Sequence, residues 1–170
     1  VEQLLMLSRA GHALASGHYT TASWTQAIIA PLKMELEEMA GLRGQRITWP
    51  QEAVLSVQGD AVLLRLMLRN LLENASRYSP ENSTIEVRLG KEEDGVRLSV
   101  LDSGPGIDET QRLSLLDPFR RMDQRYGGVG LGLSIVQRIV QLHHGKLHLE
   151  NRTGESGLDA GCWLPDTMSQ

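Results

Sequence analysis

Residues 70–79 read NLLENASRYS, and the leucines among them continue a longer pattern. Leu64, Leu68, Leu71, Leu72 and Ala75 recur at spacings of three and four, which predicts an amphipathic helix over residues 60 to 78 with one stripe facing a core. Asp60 stands where the N-cap of that helix belongs. Beside the stripe, Asn70, Asn74, Arg77 and Tyr78 share one face, because residues three, four, seven and eight apart are helix neighbours. A solvated polar face is the ordinary reading of such a group. Asparagine, however, is a mediocre mid-helix residue whose amide competes for backbone hydrogen bonds, so two on one face call for a separate reason. An amide oxygen is a neutral, hard ligand suited to Mg²⁺, which keeps several waters and also takes substrate phosphates. An arginine one turn on can meet phosphate oxygens in bidentate geometry.

Upstream, VEQLLMLSRAGHAL carries Leu4, Leu5, Leu7 and Leu14 at helical spacing, and ASGHYTTAS after it reads as a linker. Ser23 is placed to cap a second helix with the stripe Trp24, Ala27, Ile28, Leu32, Leu36, Met39, ended by Gly41 and Gly44. RITWP and AVLSVQG are short extended pieces. Downstream, STIEVRLGKEEDGVRLSVLD alternates about a Glu-Glu-Asp-Gly turn and predicts a hairpin. A helix follows over 131–143, then a last strand pair, KLHLENR and GLDAGCWLP. This order implies an α+β fold, a two-layer α/β sandwich in which three helices cover one face of a mixed sheet.

Composition restricts the function. The chain has 170 residues, enough for one domain with a real core. Its net charge of -4 gives no footprint for nucleic acid or an anionic membrane surface. The single cysteine, Cys162, forms no internal disulfide, and a reducing cytosol is the simplest compartment. No apolar run reaches the length of a membrane span and no signal peptide opens the chain. Its start at Val1, inside a helical pattern, suggests a piece of something longer.

Two further motifs carry chemistry. DSGPGI, Asp102 to Ile107, lies at a strand end, where closely spaced glycines let backbone approach a ligand and a carboxylate can accept from an exocyclic amine such as that of adenine. Gly-Pro-Gly is also a common turn. In YGGVGLGLSIV, residues 126–136, four glycines lead into an apolar helix, so backbone N–H groups and the positive helix end form a natural phosphate cradle. A hinge would use the same glycines. Neither the strand-first GxGxxG signature nor the Walker pattern fits.

A helix bearing NxxxN, then DxGxG, then some twenty irregular residues, then GxGLGL opening a helix, resembles the ATP-binding catalytic domain of two-component sensor histidine kinases. Their Bergerat-type fold is shared with gyrase-type, heat-shock-chaperone-type and mismatch-repair ATPases. The resemblance covers residues 23–165 and makes 1–16 the tail of a dimerisation and phosphoacceptor hairpin, 17–22 a linker and 166–170 a C-terminal tail. It implies ATP and Mg²⁺ as cofactors, with Asn74 the principal metal ligand and Asn70 the supporting one. Arg77 would meet the phosphates, Tyr78 the nucleotide and Asp102 the adenine amine, with Gly104, Gly106 and Ile107 shaping that pocket. Residues 107–127 would form a lid, with Phe119 in its DPFRR segment. Gly128, Val129, Gly130, Leu131, Gly132 and Leu133 would form the second glycine-rich loop and seat the next helix.

In hydrolysing relatives a glutamate that activates water stands where Asn70 does. An amide cannot act as a general base near neutral pH, so Asn70 favours transfer to a protein over hydrolysis. Glu73 lies about 100° round the helix from Asn74 and reads as a surface residue. The HExxxP acceptor motif of the family does not occur in the sequence. The expected partners are therefore a separate phosphoacceptor domain and a response regulator, with a monomeric domain here and a homodimeric, inner-membrane parent whose catalytic part is cytoplasmic. The rivals are an anti-sigma-type serine kinase, a hydrolysing ATPase of the same superfamily and a decayed binding module.

Overall fold

In the computed structural model, which describes residues 2–111 and 132–168, the chain opens with helix α1 (Glu2–Ala15). It buries Leu7, Gly11 and Leu14. Of the segment expected as a linker, 17–22, the last three residues belong to strand β1 (Thr20–Ser23), which pairs antiparallel with β3 (Ser56–Gly59) as a separate two-stranded ribbon.

Ser23 caps the next segment as predicted, its Oγ accepting from the Gln26 amide at 3.2 Å. That segment is not one regular helix. A π-helical turn (Trp24–Ile29) and a 3₁₀ turn (Ala30–Leu32) precede α2 (Lys33–Gly41). Pro31 is the physical reason, since it has no N–H to give to the carbonyl four residues back. That carbonyl, Ala27 O, is taken instead by Arg65 Nη1 of helix α3 (Ala61–Tyr78) at 2.8 Å. The stripe still works, with Trp24, Ile28, Leu32 and Leu36 all buried.

After β2 (Arg46–Thr48), helix α3 (Ala61–Tyr78) forms where the leucines placed it, capped by Asp60 Oδ1 on the Leu63 amide at 3.0 Å. Strands β4 (Thr84–Glu92) and β5 (Gly95–Leu101) make the predicted hairpin, with Glu92 opposite Gly95 at the turn. Helix α4 (Gly132–Leu142) precedes β6 (Lys146–Asn151) and β7 (Leu158–Pro165). The main sheet runs β2-β4-β5-β7-β6, parallel only between β2 and β4.

Ile85, Val87, Val96, Leu98, Val100, Ala160, Cys162 and Leu164 face the helices and are buried, while Glu86, Arg88 and Arg97 face away. Three helices, α2, α3 and α4, pack against this sheet, and α1 lies on the helical layer against α4. A Cβ on Gly11 would meet Leu142 Cδ1 at 3.1 Å, so the α1–α4 approach is close. The expected two-layer α+β sandwich is therefore the one formed. No helix among the described residues is long and apolar enough to cross a membrane.

Candidate functional site

Helix α3 presents a leucine face and, beside it, an asparagine face. Leu64, Leu68 and Leu72 face the core. Asn70, on the face expected to be polar, is buried too, with 6% of its surface exposed. Its Nδ2–H donates to the Leu66 carbonyl at 2.9 Å, which satisfies the amide donor and leaves Oδ1 turned toward α4. A Cβ placed on Gly132, the first residue of α4, would lie 3.3 Å from Asn70 Oδ1 and 3.4 Å from Asn74 Nδ2. Two asparagine amides thus meet the N-terminus of an eleven-residue helix, where unpaired N–H groups attract anions.

Next to this meeting point lies a slot. Leu71, Asn74, Ala75 and Tyr78 of α3 form one wall, and Val100, Leu158 and Ala160 of the sheet form another. Pro105, Gly106, Ile107 and Leu133 close it, and Asp102 is its one charged group. The lining is apolar with few polar atoms, which suits a flat heteroaromatic ring.

Asp102 follows β5 and is buried. Its Oδ1 accepts from the amides of Gly104 at 2.9 Å and Leu158 at 3.0 Å. Among the described residues no hydrogen bond is directed to Oδ2, which leaves that oxygen for a donor in the slot. Burial pushes the carboxyl above its ordinary value, and the two amides and the Arg152 charge offset part of that rise. Gly104 is needed for close approach, since a Cβ there would come within 2.5 Å of the Tyr78 carbonyl. Gly106 is needed for its backbone, with φ at 77°.

Arg77 and Glu73 fall outside the slot. Arg77 is half-buried and does not line it. Glu73, expected at the surface, is partly buried; burial raises its pKa while Arg69 and Arg77 pull it down. Phe119, Gly128, Val129, Gly130 and Leu131, and most of the expected lid, lie outside the described residues.

The residue motifs did not reveal Asn151, Arg152 and Leu158. Asn151 grips Ile107 at two points, accepting from its amide at 2.8 Å and donating to its carbonyl at 2.7 Å. Arg152 Nη1 donates to the Asp102 carbonyl at 3.0 Å. All three lie about fifty residues from their partners, joined only by the β5-β7-β6 order. Elsewhere, Ser99 and Asp159 both face the same nitrogen, Nε2, of His148 at 3.3 and 2.8 Å, so these three types form no nucleophile relay. Cys162 is buried against Met67 Sδ, and burial pushes its thiol up to about 12.

Residues 59–167 match the family described as histidine kinase-, DNA gyrase B-, and HSP90-like ATPase. The chain belongs to that family. Within this ATPase family it is similar to Sensor protein BasS of Escherichia coli (strain K12), 51% identical over 161 residues, which are 94% of this chain and 44% of that protein. BasS of Salmonella typhimurium is 47% identical over 96% of the chain and 46% of its own length. The chain thus spans less than half the length of these relatives. Among solved structures, the catalytic domain of histidine kinase ThkA superposes with a TM-score of 0.77 at 29% identity, over 88% of this chain and 96% of that one. The mycobacterial sensor histidine kinase MprB gives 0.74 at 26% identity, over 89% and 99%. The fold and sequence are those of a histidine-kinase catalytic domain, an ATP-binding module.

Proposed function

We propose that the chain binds Mg-ATP and passes its γ-phosphoryl group to a histidine on a separate helical hairpin, for relay to a response regulator. In this reading the adenine occupies the slot with its amine on Asp102 Oδ2, and the phosphates lie where α4 begins. Asn74 and Asn70 supply amide oxygens to Mg²⁺, and Arg77 meets the phosphates from the rim. The donor set suits that ion, since Asn70 Oδ1 is left unused by its own helix and turned toward the same gap as Asn74. Bound Mg²⁺ would neutralise charge on the β- and γ-phosphates.

The convergence of Asn70, Asn74 and Gly132 beside the Asp102 slot carries the proposal. Transfer breaks the bond between the γ-phosphorus and the bridging oxygen, releases ADP, forms a P–N bond to imidazole and frees the imidazole proton. The chain contributes position and charge rather than covalent chemistry. Asn70 offers no base for water, and Glu73 does not line the slot, so transfer is favoured over hydrolysis. The likeness to BasS extends the proposal to an inner-membrane, homodimeric sensor of the polymyxin-resistance type, with this domain on the cytoplasmic side.

The test is to mix the protein with γ-labelled Mg-ATP and a separately made hairpin of this kinase type, following label on protein and free phosphate together. Label on the hairpin histidine is expected. Phosphate release without protein labelling would place the chain among the hydrolysing ATPases instead.

A further inference from the structure

The last turn of α3 carries Asn74, Arg77 and Tyr78, and one side chain from outside the helix holds that turn. Gln45, just before β2, is 5% exposed. Its Nε2 donates to the carbonyls of Ser76 at 3.0 Å, Pro80 at 3.1 Å and Ser79 at 3.2 Å. Its Oε1 accepts from Ser76 Oγ at 2.5 Å, which fixes which way round the amide lies. Carbonyls at a helix C-terminus have no intrahelical partner, and here a buried glutamine supplies one.

The grip continues into the slot. Ser79, whose carbonyl Gln45 holds, accepts from the Ser103 amide through Oγ at 3.1 Å. Ser103 is the residue after Asp102. One glutamine thus bonds the Asn74–Tyr78 turn directly at Ser76 and reaches the Asp102 loop through Ser79. Neighbouring Arg43 adds a donor to the Ser79 carbonyl at 2.9 Å, from a partly exposed position.

We propose that Gln45 is a positioning residue for the nucleotide site, setting the last turn of α3, and so Asn74 and Tyr78, against the Asp102 loop. This rests on the reading of the slot as a nucleotide site. Misplacing a ligand-holding group by about 1 Å can cost on the order of a hundredfold. A glutamine that serves only stability would leave affinity unchanged below the unfolding transition.

The experiment measures Mg-ADP affinity by calorimetry, well below each protein's melting temperature, for the wild type, Gln45→Met, Ser76→Ala and a control, Val96→Ala. Val96 is buried at the far end of β5 and does not line the slot. Gln45→Met keeps the volume and removes the bonds. Ser76→Ala removes only the bond that orients the amide, and stands in if the methionine variant does not fold. We expect roughly tenfold weaker binding for Gln45→Met, a smaller loss in the same direction for Ser76→Ala, and none for Val96→Ala whatever its melting temperature. Wild-type affinity in both site variants overturns the positioning role, as does an equal loss in the control. A wild type that binds no Mg-ADP would instead overturn the nucleotide reading, and this inference with it.

Discussion

Asp102 holds its pocket at a cost in stability. Burial raises its folded pKa above the unfolded value, so its contribution is fully present below about 3.9 and lost as pH rises through the folded pKa. Above its folded pKa the ionised carboxylate is therefore held at a cost relative to the protonated form. Asparagine at this position keeps an oxygen for the Gly104 and Leu158 amides but carries no charge. Asp102→Asn should melt at or above the wild-type temperature at pH 7.5 while ATP affinity falls on the order of 100-fold, because one amide N–H₂ would face another. A variant that binds ATP normally would take the adenine away from Asp102. His144 has a simpler strain, its φ of 59° falling just past α4 where helices usually place glycine. His144→Gly should raise stability by about 1 kcal/mol, read by chemical denaturation.

Between elements, the decisive contact joins the end of α4 to the start of α3. His143 is buried, with its Nδ1 on the Ile139 carbonyl at 2.8 Å and its Nε2 accepting from the Asp60 amide at 3.1 Å. Only the neutral ring can do both. Burial depresses its pKa below 6.5, helped by the His144 charge and opposed by the Ile139 carbonyl and by Asp60. A depressed folded pKa means stability that is present above the unfolded value and lost as pH falls through the folded one. The unfolding free energy should therefore drop from pH 7 to pH 5, by up to about 1.4 kcal/mol per pH unit, and His143→Gln should flatten that slope. An unchanged slope would assign the acid sensitivity to other groups. Elements with strong local signals were legible in the sequence. The cap and leucines of α3 sufficed, as did the alternation of β4 and β5. Strand β1 was not, since TTAS is small and polar and becomes a strand only by pairing with β3, some forty residues on. The break in the second helix was written in Pro31, but its repair by Arg65 was not. At the site, spacing found Asn74, Asp102 and Gly132, whereas Asn151 and Leu158 act through a strand order that no local pattern encodes.

At the scale of the whole molecule, the site joins parts that are distant in the chain. Helix α3, the end of β5, the start of β7 and the start of α4 each contribute a wall or a polar group. Unfolding scatters all of them, so a ligand that needs them together binds only the folded state and must raise its stability. At one hundred times its dissociation constant, Mg-ADP should add about 2.7 kcal/mol. For a chain of 170 residues that is a rise in melting temperature of roughly 5–10 °C. The asparagines divide this effect in a testable way. If they hold the metal, a chelator should remove most of the shift in the wild type, and Asn74→Ala should show only the small residual shift whether or not magnesium is present. If the wild-type shift is instead the same with and without magnesium, the nucleotide is held by the Asp102 slot alone. Asn70 and Asn74 would then serve to join α3 to α4, and the metal would have no place between them.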